Sequence, residues 1–181
     1  MAAVELQPED YPKYTHEDSK TWEGRWELIR GIPYAMSPAP SFRHQQINTK
    51  LARVFDEAFD NCEKCKVSIF VDFVLDESTV LQPDLVVVCG DEVLDVLKYA
   101  PSIAVEILSP STAKRDKGVK YKLYENEGVK YYIIVDPESS EVFIYELKGE
   151  VYYLAAKGEG IHFEFEVDQC KASVDFSAIW P

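Results

Sequence analysis

Residues 102–136 read SIAVEILSPSTAKRDKGVKYKLYENEGVKYYIIVD, and this stretch decides the fold. Ser102 to Ser109 is apolar except at Glu106, the pattern of a strand buried on both faces, and Pro110 stops it. Ser111 to Asn126 has helical character, with Ser111 or Thr112 as its cap and Gly128 just past its end. Tyr131 to Asp136 returns as a second buried strand. Strand, helix and strand in this order predict a parallel βαβ unit.

Working outward, the other segments read as antiparallel structure and one long helix. Thr15 and Asp18 form a capping box for a short helix, and Gly31 divides Arg25 to Met36 into a hairpin. Ser37 to Pro40 is a rigid loop. Ser41 caps a helix running to about Asp60, whose Ile47, Leu51, Val54, Phe55, Ala58 and Phe59 share one face. Val67 to Leu75 and Val80 to Val88 each read as a strand, and Cys89-Gly90-Asp91 as a turn. Glu141 to Leu147 and Val151 to Ala155 form a hairpin, and Ile161 to Val167 is a further strand. Phe176, Ile179 and Trp180 are apolar enough to dock the tail. The fold class is mixed α/β, with a parallel unit inside an otherwise antiparallel sheet.

The chain has 181 residues, which predicts a single domain over 1–181. Its 46% hydrophobic, 28% charged and 13% aromatic residues exclude a disordered chain. No apolar run approaches the roughly 18 residues of a membrane span, and Met1 to Asp10 lacks the pattern of a secretory signal. The expectation is a cytoplasmic protein with no membrane partner. With 32 acids against 19 Lys and Arg the net charge is −13, which disfavours broad, non-specific contact with polyanions. Cys62 and Cys65 form a C-x-x-C pair, but neither a second such pair nor a histidine pair completes a zinc motif. Cys62, Cys65, Cys89 and Cys170 are therefore expected as reduced, structural thiols.

Two carboxylates interrupt apolar strands, at Asp84 and Glu106. Either one alone reads as capping a strand end or pairing with a surface lysine. Two on successive strands are better explained by a shared cation, because an unpaired buried carboxylate costs several kcal/mol, of the order of 3–5. Pro83 removes a ladder donor and favours a bulge that turns Asp84 toward Glu106. Two carboxylates and a backbone carbonyl suit Mg2+ or Mn2+. Nearby, Lys114, Arg115, Lys117, Lys120 and Lys122 face a single acid, Asp116, and form the densest basic cluster of the chain. Asp116, Lys120 and Tyr124 share one helical face. The plainer reading of most of these bases is a solvated helix surface.

An ordered set of motifs resembles a known family. Trp26 to Gly31, Ser37 to Pro40 with His44, Gln82-Pro83-Asp84, Val105 to Thr112, then Asp116, Lys120, Tyr124, Gly128-Val129 and Tyr131 to Pro137 are similar to the Uma-type restriction-endonuclease family of the PD-(D/E)XK nuclease superfamily. The match runs from about Trp22 to Leu147. It implies a restriction-endonuclease-like core over about 22–147, a mixed central sheet flanked by helices, with a strand-rich extension over about 148–181. It also implies a Mg2+- or Mn2+-dependent nuclease acting on nucleic acid, with DNA favoured. Asp84, Glu106 and the Ile107 carbonyl would hold the metal, and Glu27 would lie near it. The superfamily lysine would fall at Leu108, so Lys120 is the matching replacement and Lys122 the fallback. Tyr124, Asp116, His44 and Gln82 would support or line the site, and Lys117, Lys122 and Arg115 are candidates for phosphate contact. The rival reading is a nuclease-fold binding or regulatory module with little or no turnover. A homodimer is compatible with cutting duplexes.

Overall fold

The computed structural model describes residues 11–36, 40–90 and 96–181. Most of the expected 37–40 loop and Asp91 of the expected turn lie outside them. The elements begin with α1 (His16–Ser19), β1 (Trp26–Ile29), β2 (Ile32–Ala35) and α2 (Phe42–Phe59). They continue with β3 (Cys65–Ile69), β4 (Phe73–Asp76), β5 (Thr79–Leu81), β6 (Leu85–Cys89) and β7 (Ile103–Ile107). Next come α3 (Ala113–Arg115), a π turn (Asp116–Lys120), α4 (Tyr121–Glu127) and β8 (Tyr131–Asp136). The chain closes with β9 (Glu141–Lys148), β10 (Val151–Gly158), β11 (His162–Val167), β12 (Cys170–Asp175) and a 3-10 turn (Phe176–Ile179).

The predicted βαβ unit is present: β7 pairs parallel with β8, and Glu106 lies opposite Ile134. These strands sit inside a six-stranded sheet of order β10-β9-β8-β7-β6-β3, whose other pairings are antiparallel. A second sheet, β2-β1-β5-β4, carries the hairpin turned at Gly31, where φ is +81°. The third is the β11–β12 hairpin. As expected, Ser41 caps α2 by accepting the His44 N–H, and Thr15 and Asp18 cap α1 reciprocally.

Three expectations about elements are corrected. Residues 67–75 are not one strand: Phe70 adopts φ +57°, and the chain passes from β3 in the large sheet to β4 in the small one. Residues 80–88 divide likewise at Gln82–Asp84, between β5 and β6, because Pro83 cannot continue a ladder. The helix over 111–126 is interrupted by the π turn, which has one residue more per hydrogen-bonded loop than an α turn. Asp116 and Lys120 both point inward from that turn, each 1% exposed. Strand β12 was not anticipated; only Ala172 and Val174 of it are fully buried.

Apolar packing divides between the two faces of the large sheet. On one face Ile47, Leu51, Phe55 and Phe59 of α2 pack with Val105, Ile107 and Ile133, and with Phe165, Val174 and Phe176 of the C-terminal segment. The tail docks there as expected, continuous with the core. On the other face Val86, Ala104, Leu108, Tyr124 and Tyr132 pack with Phe73 and Leu81 from the small sheet.

The expectation of four reduced thiols is also corrected. Cys62 is joined to Cys170 and Cys65 to Cys89, so the C-x-x-C residues bond to separate strands and not to each other. The second bond follows from register, since Cys65 and Cys89 are directly opposed on β3 and β6. Among the described residues no helix is long and apolar enough to cross a membrane.

Candidate functional site

Glu106 shares the face of Ala104 and Leu108, two residues to either side, so its carboxylate enters the tyrosine-rich face of the large sheet. Glu27 reaches the same point from β1, and the π turn delivers Asp116 and Lys120 from above. Lys120 Nζ lies 2.6 Å from Glu27 Oε1, 2.5 Å from Glu106 Oε1 and 3.6 Å from Asp116 Oδ1. Tyr124, one turn further along α4, donates its hydroxyl to Glu106 Oε1 at 2.7 Å. Tyr132 on β8 donates to the Asp116 carbonyl at 2.9 Å and fixes the π turn to the sheet.

Asp84 stands at the neighbouring strand end, just before β6, with its own N–H donating to the Val105 carbonyl at 3.0 Å. Its Oδ2 accepts the Ile107 N–H at 2.8 Å and lies 3.4 Å from His44 Nε2. His44 Nε2 is also 3.1 Å from the Ile107 carbonyl, so this N–H bridges two of the expected metal-binding oxygens. Gln82 ties the parts together: its backbone N–H donates to Glu27 Oε1 at 3.1 Å, and its side chain links Arg25 to Asp72.

Four buried carboxylates, Glu27, Asp84, Glu106 and Asp116, thus face one lysine and one histidine. Burial pushes the Glu106 carboxyl well above the ordinary carboxylate range; Lys120 opposes this, while Asp116, Asp84 and Glu27 add to it. Asp116 is raised for the same reasons. Burial alone would lower the Lys120 pKa, but the surrounding acids raise it above the usual lysine range, so it remains a cation. Burial also opposes the charged form of His44, yet Asp84 and the Ile107 carbonyl hold its pKa above the ordinary histidine value. Tyr124 is raised by burial and by Glu106, and stays a neutral donor.

The cluster opens into a pocket of about 570 Å3, also lined by Arg25, Arg43 and Arg115. Its walls carry orphaned buried polar atoms: Arg25 Nη2, Arg115 Nε, His44 Nδ1 and both Asp116 carboxylate oxygens lack hydrogen-bond partners. Among the described residues no three His, Cys, Asp or Glu side chains converge as a ready metal site, and Lys120 lies between Glu27 and Glu106. The donor set nevertheless fits a hard cation. It offers carboxylate and carbonyl oxygens, four buried carboxyl groups against one lysine, and Asp116 oxygens that accept no hydrogen bond.

The remaining predicted residues fall unevenly. Arg115 lies in the pocket, its guanidinium 4.6 Å from the centre of the Tyr34 ring. Lys117 is exposed and 3.8 Å from Asp136. Lys122 points to Glu125 at 2.5 Å, away from the acids, so the lysine at the acid cluster is Lys120. Leu108 is buried among apolar side chains. Arg25 and Arg43 were missed from sequence. Arg43 carried a signal: α2 has Arg43 and His44 in its first turn and no acid there, against the preference of the helix dipole.

Comparison with known proteins bears on the family and the fold. The Uma2 family model, described as "Putative restriction endonuclease", matches residues 8–161. The chain belongs to the Uma2 family. A Synechocystis protein described as "Uncharacterized protein slr1290" is 30% identical over 144 residues, covering 75% of each chain. The crystal structure of a protein from Anabaena variabilis, titled a putative nuclease belonging to DUF820, superposes with a TM-score of 0.68. That match covers 85% of this chain and 89% of the other; at 16% identity it is a likeness of fold. Uma2 membership and this fold place the chain among nuclease-like proteins.

Proposed function

We propose that this Uma2 protein hydrolyses phosphodiester bonds in nucleic acid, with DNA the favoured substrate, using Mg2+ or Mn2+ held by Asp84, Glu106 and the Ile107 carbonyl. The observation that carries the reading is the buried Lys120 bound to Glu27 and Glu106 at the floor of an arginine-lined pocket. Bound there, the cation would lower the pKa of a water molecule and neutralise charge on the scissile phosphate.

The chain's own residues supply the rest. Lys120 cannot act as a base, because its neighbours keep it protonated. It orients Glu106 and Glu27 and provides fixed positive charge beside the developing phosphorane. Tyr124 holds Glu106 Oε1 in one direction, and His44 does the same for Asp84 and the Ile107 carbonyl. Arg43, Arg115 and the N-terminus of α2 are suited to receive phosphate oxygens. The net charge of −13 confines such contact to this pocket and makes binding steeply salt-dependent.

The test is cleavage of labelled single- and double-stranded DNA and RNA with Mn2+ or Mg2+. Cleavage lost in Asp84→Ala and Glu106→Ala supports the reading; cleavage unchanged in both overturns it. A nuclease-fold binding module is the second reading, favoured by Lys120 being already engaged by acids. It predicts salt-dependent binding without turnover.

A further inference from the structure

Beyond the far end of α2 from His44, four cysteines from separate parts of the chain come together. Cys62 follows α2, Cys65 opens β3, Cys89 closes β6 and Cys170 opens β12. We propose that with its thiols reduced the protein binds one structural Zn2+ through Cys62, Cys65, Cys89 and Cys170.

The spacing supports four ligands around one ion. The Cys65 N–H donates to the Cys62 carbonyl at 2.8 Å, closing a turn whose end Cα atoms lie within about 7 Å. From that turn Cys170 is reached at a Cα separation of 5.9 Å from Cys62, and Cys89 at 4.0 Å from Cys65. The Gly90 N–H, next to Cys89, donates to the Lys64 carbonyl inside the C-x-x-C turn at 2.9 Å and holds the two arms together. A C-x-x-C turn is a common half of a zinc site. The sequence lacks a second such half because the fold supplies the other two ligands singly, from strands 24 and 108 residues away.

Joined in pairs, the sulfurs carry no thiolate for a metal, in keeping with the absence of a ready metal cluster among the described residues. The 4.0 Å between Cys65 and Cys89 is nevertheless shorter than the roughly 4.4–6.8 Å that bridged cysteines usually span. Two equivalents of a dithiol reductant convert the two disulfides to four thiols, the reductant leaving as its own disulfide. Zn2+ then displaces four protons and forms four Zn–S bonds, leaving a complex of charge −2. Cys62, Cys65 and Cys170 line a surface pocket of about 650 Å3, a route for the ion. The bound ion would fasten the C-terminal hairpin and the start of β3 to the end of α2 without any part in the acid cluster.

The experiment uses the full chain, prepared with a reductant and stripped of metal, and Co2+ as the probe. One Co2+ per chain should give the visible absorption of tetrahedral thiolate coordination, bleached by one equivalent of Zn2+, and Cys65→Ser and Cys89→Ser should abolish it. Because those variants can misfold, thiol alkylation of the wild type is read by mass in parallel. Four thiols protected by Zn2+ and exposed by a chelator support the site. Folded, reduced protein that binds no Co2+, or two disulfides that persist in protein taken from a reducing cell interior, overturn it.

Discussion

On one face of the large sheet, Leu51, Phe55 and Phe59 of α2 close over Val105 and Ile133 with aliphatic and phenyl groups. On the other, Tyr124, Tyr132 and Phe73 surround Glu27, Glu106, Asp116 and Lys120. The two faces are equally well buried but differ in what burial does. On the first it removes apolar area from water, at roughly 25 cal/mol per Å2. On the second it strips water from ions that must then satisfy each other. Three carboxylates around one lysine leave surplus charge, which works against folding and favours a cation or a substrate. Stability and function are thus drawn from opposite sides of the same strands, Val105 facing one way and Glu106 the other.

Substitutions can break or sharpen this contrast. Lys120→Met should have the largest effect, because it leaves Glu27, Glu106 and Asp116 buried without their cation. The expected loss is about 3–5 kcal/mol in denaturant unfolding, or no recoverable folded protein. A loss below about 1 kcal/mol would mean that the acids are solvated or protonated at neutral pH. On the dry face, Leu51→Ala should cost about 3 kcal/mol through the cavity it leaves, and folded variant protein should keep its metal affinity. A coupled loss of metal binding would erase the division between the faces.

Glu106→Gln should act in the opposite direction and stabilise the metal-free protein by about 1 kcal/mol, or roughly 2–4 °C in Tm. Its sign follows from linkage. The folded pKa is raised, so the carboxyl favours folding below its unfolded value near 4.3, and that contribution is lost as pH rises through the folded value. Thermal unfolding of both proteins from pH 4 to pH 8 should therefore show the variant's advantage growing with pH. A variant less stable than wild type at every pH would contradict this. The smallest effect belongs to Lys122→Ala, on the exposed side of α4. It should change stability by no more than about 0.5 kcal/mol, and nucleic-acid binding hardly at all in a salt titration.

Much of this arrangement was legible in the sequence. The βαβ unit, the hairpins and the cap at Ser41 follow from local patterns, and Glu106 stood out as a charge inside an apolar run. The division of 67–75 between two sheets was not legible, because the turn at Phe70 has no side-chain signal, whereas that of 80–88 was marked by Gln82-Pro83-Asp84 and read only as a bulge. The switch is a backbone event at Phe70 and Pro83. The π turn has no side-chain signature of its own, yet it brings both Asp116 and Lys120 inward. Four distant cysteines could not be grouped before β3 and β6 were in register and the β11–β12 hairpin was packed against α2. Arg25 was hidden because its place in the pocket depends on Gln82 and on stacking over Phe70, 4.2 Å from the ring centre.

Calorimetric titration of Mn2+ into wild type, Asp84→Ala and Glu106→Ala, carried to millimolar metal, tests the central claim most directly. The account predicts binding to the wild type that is lost in both folded variants. No binding to the wild type, or binding indifferent to both substitutions, would contradict it.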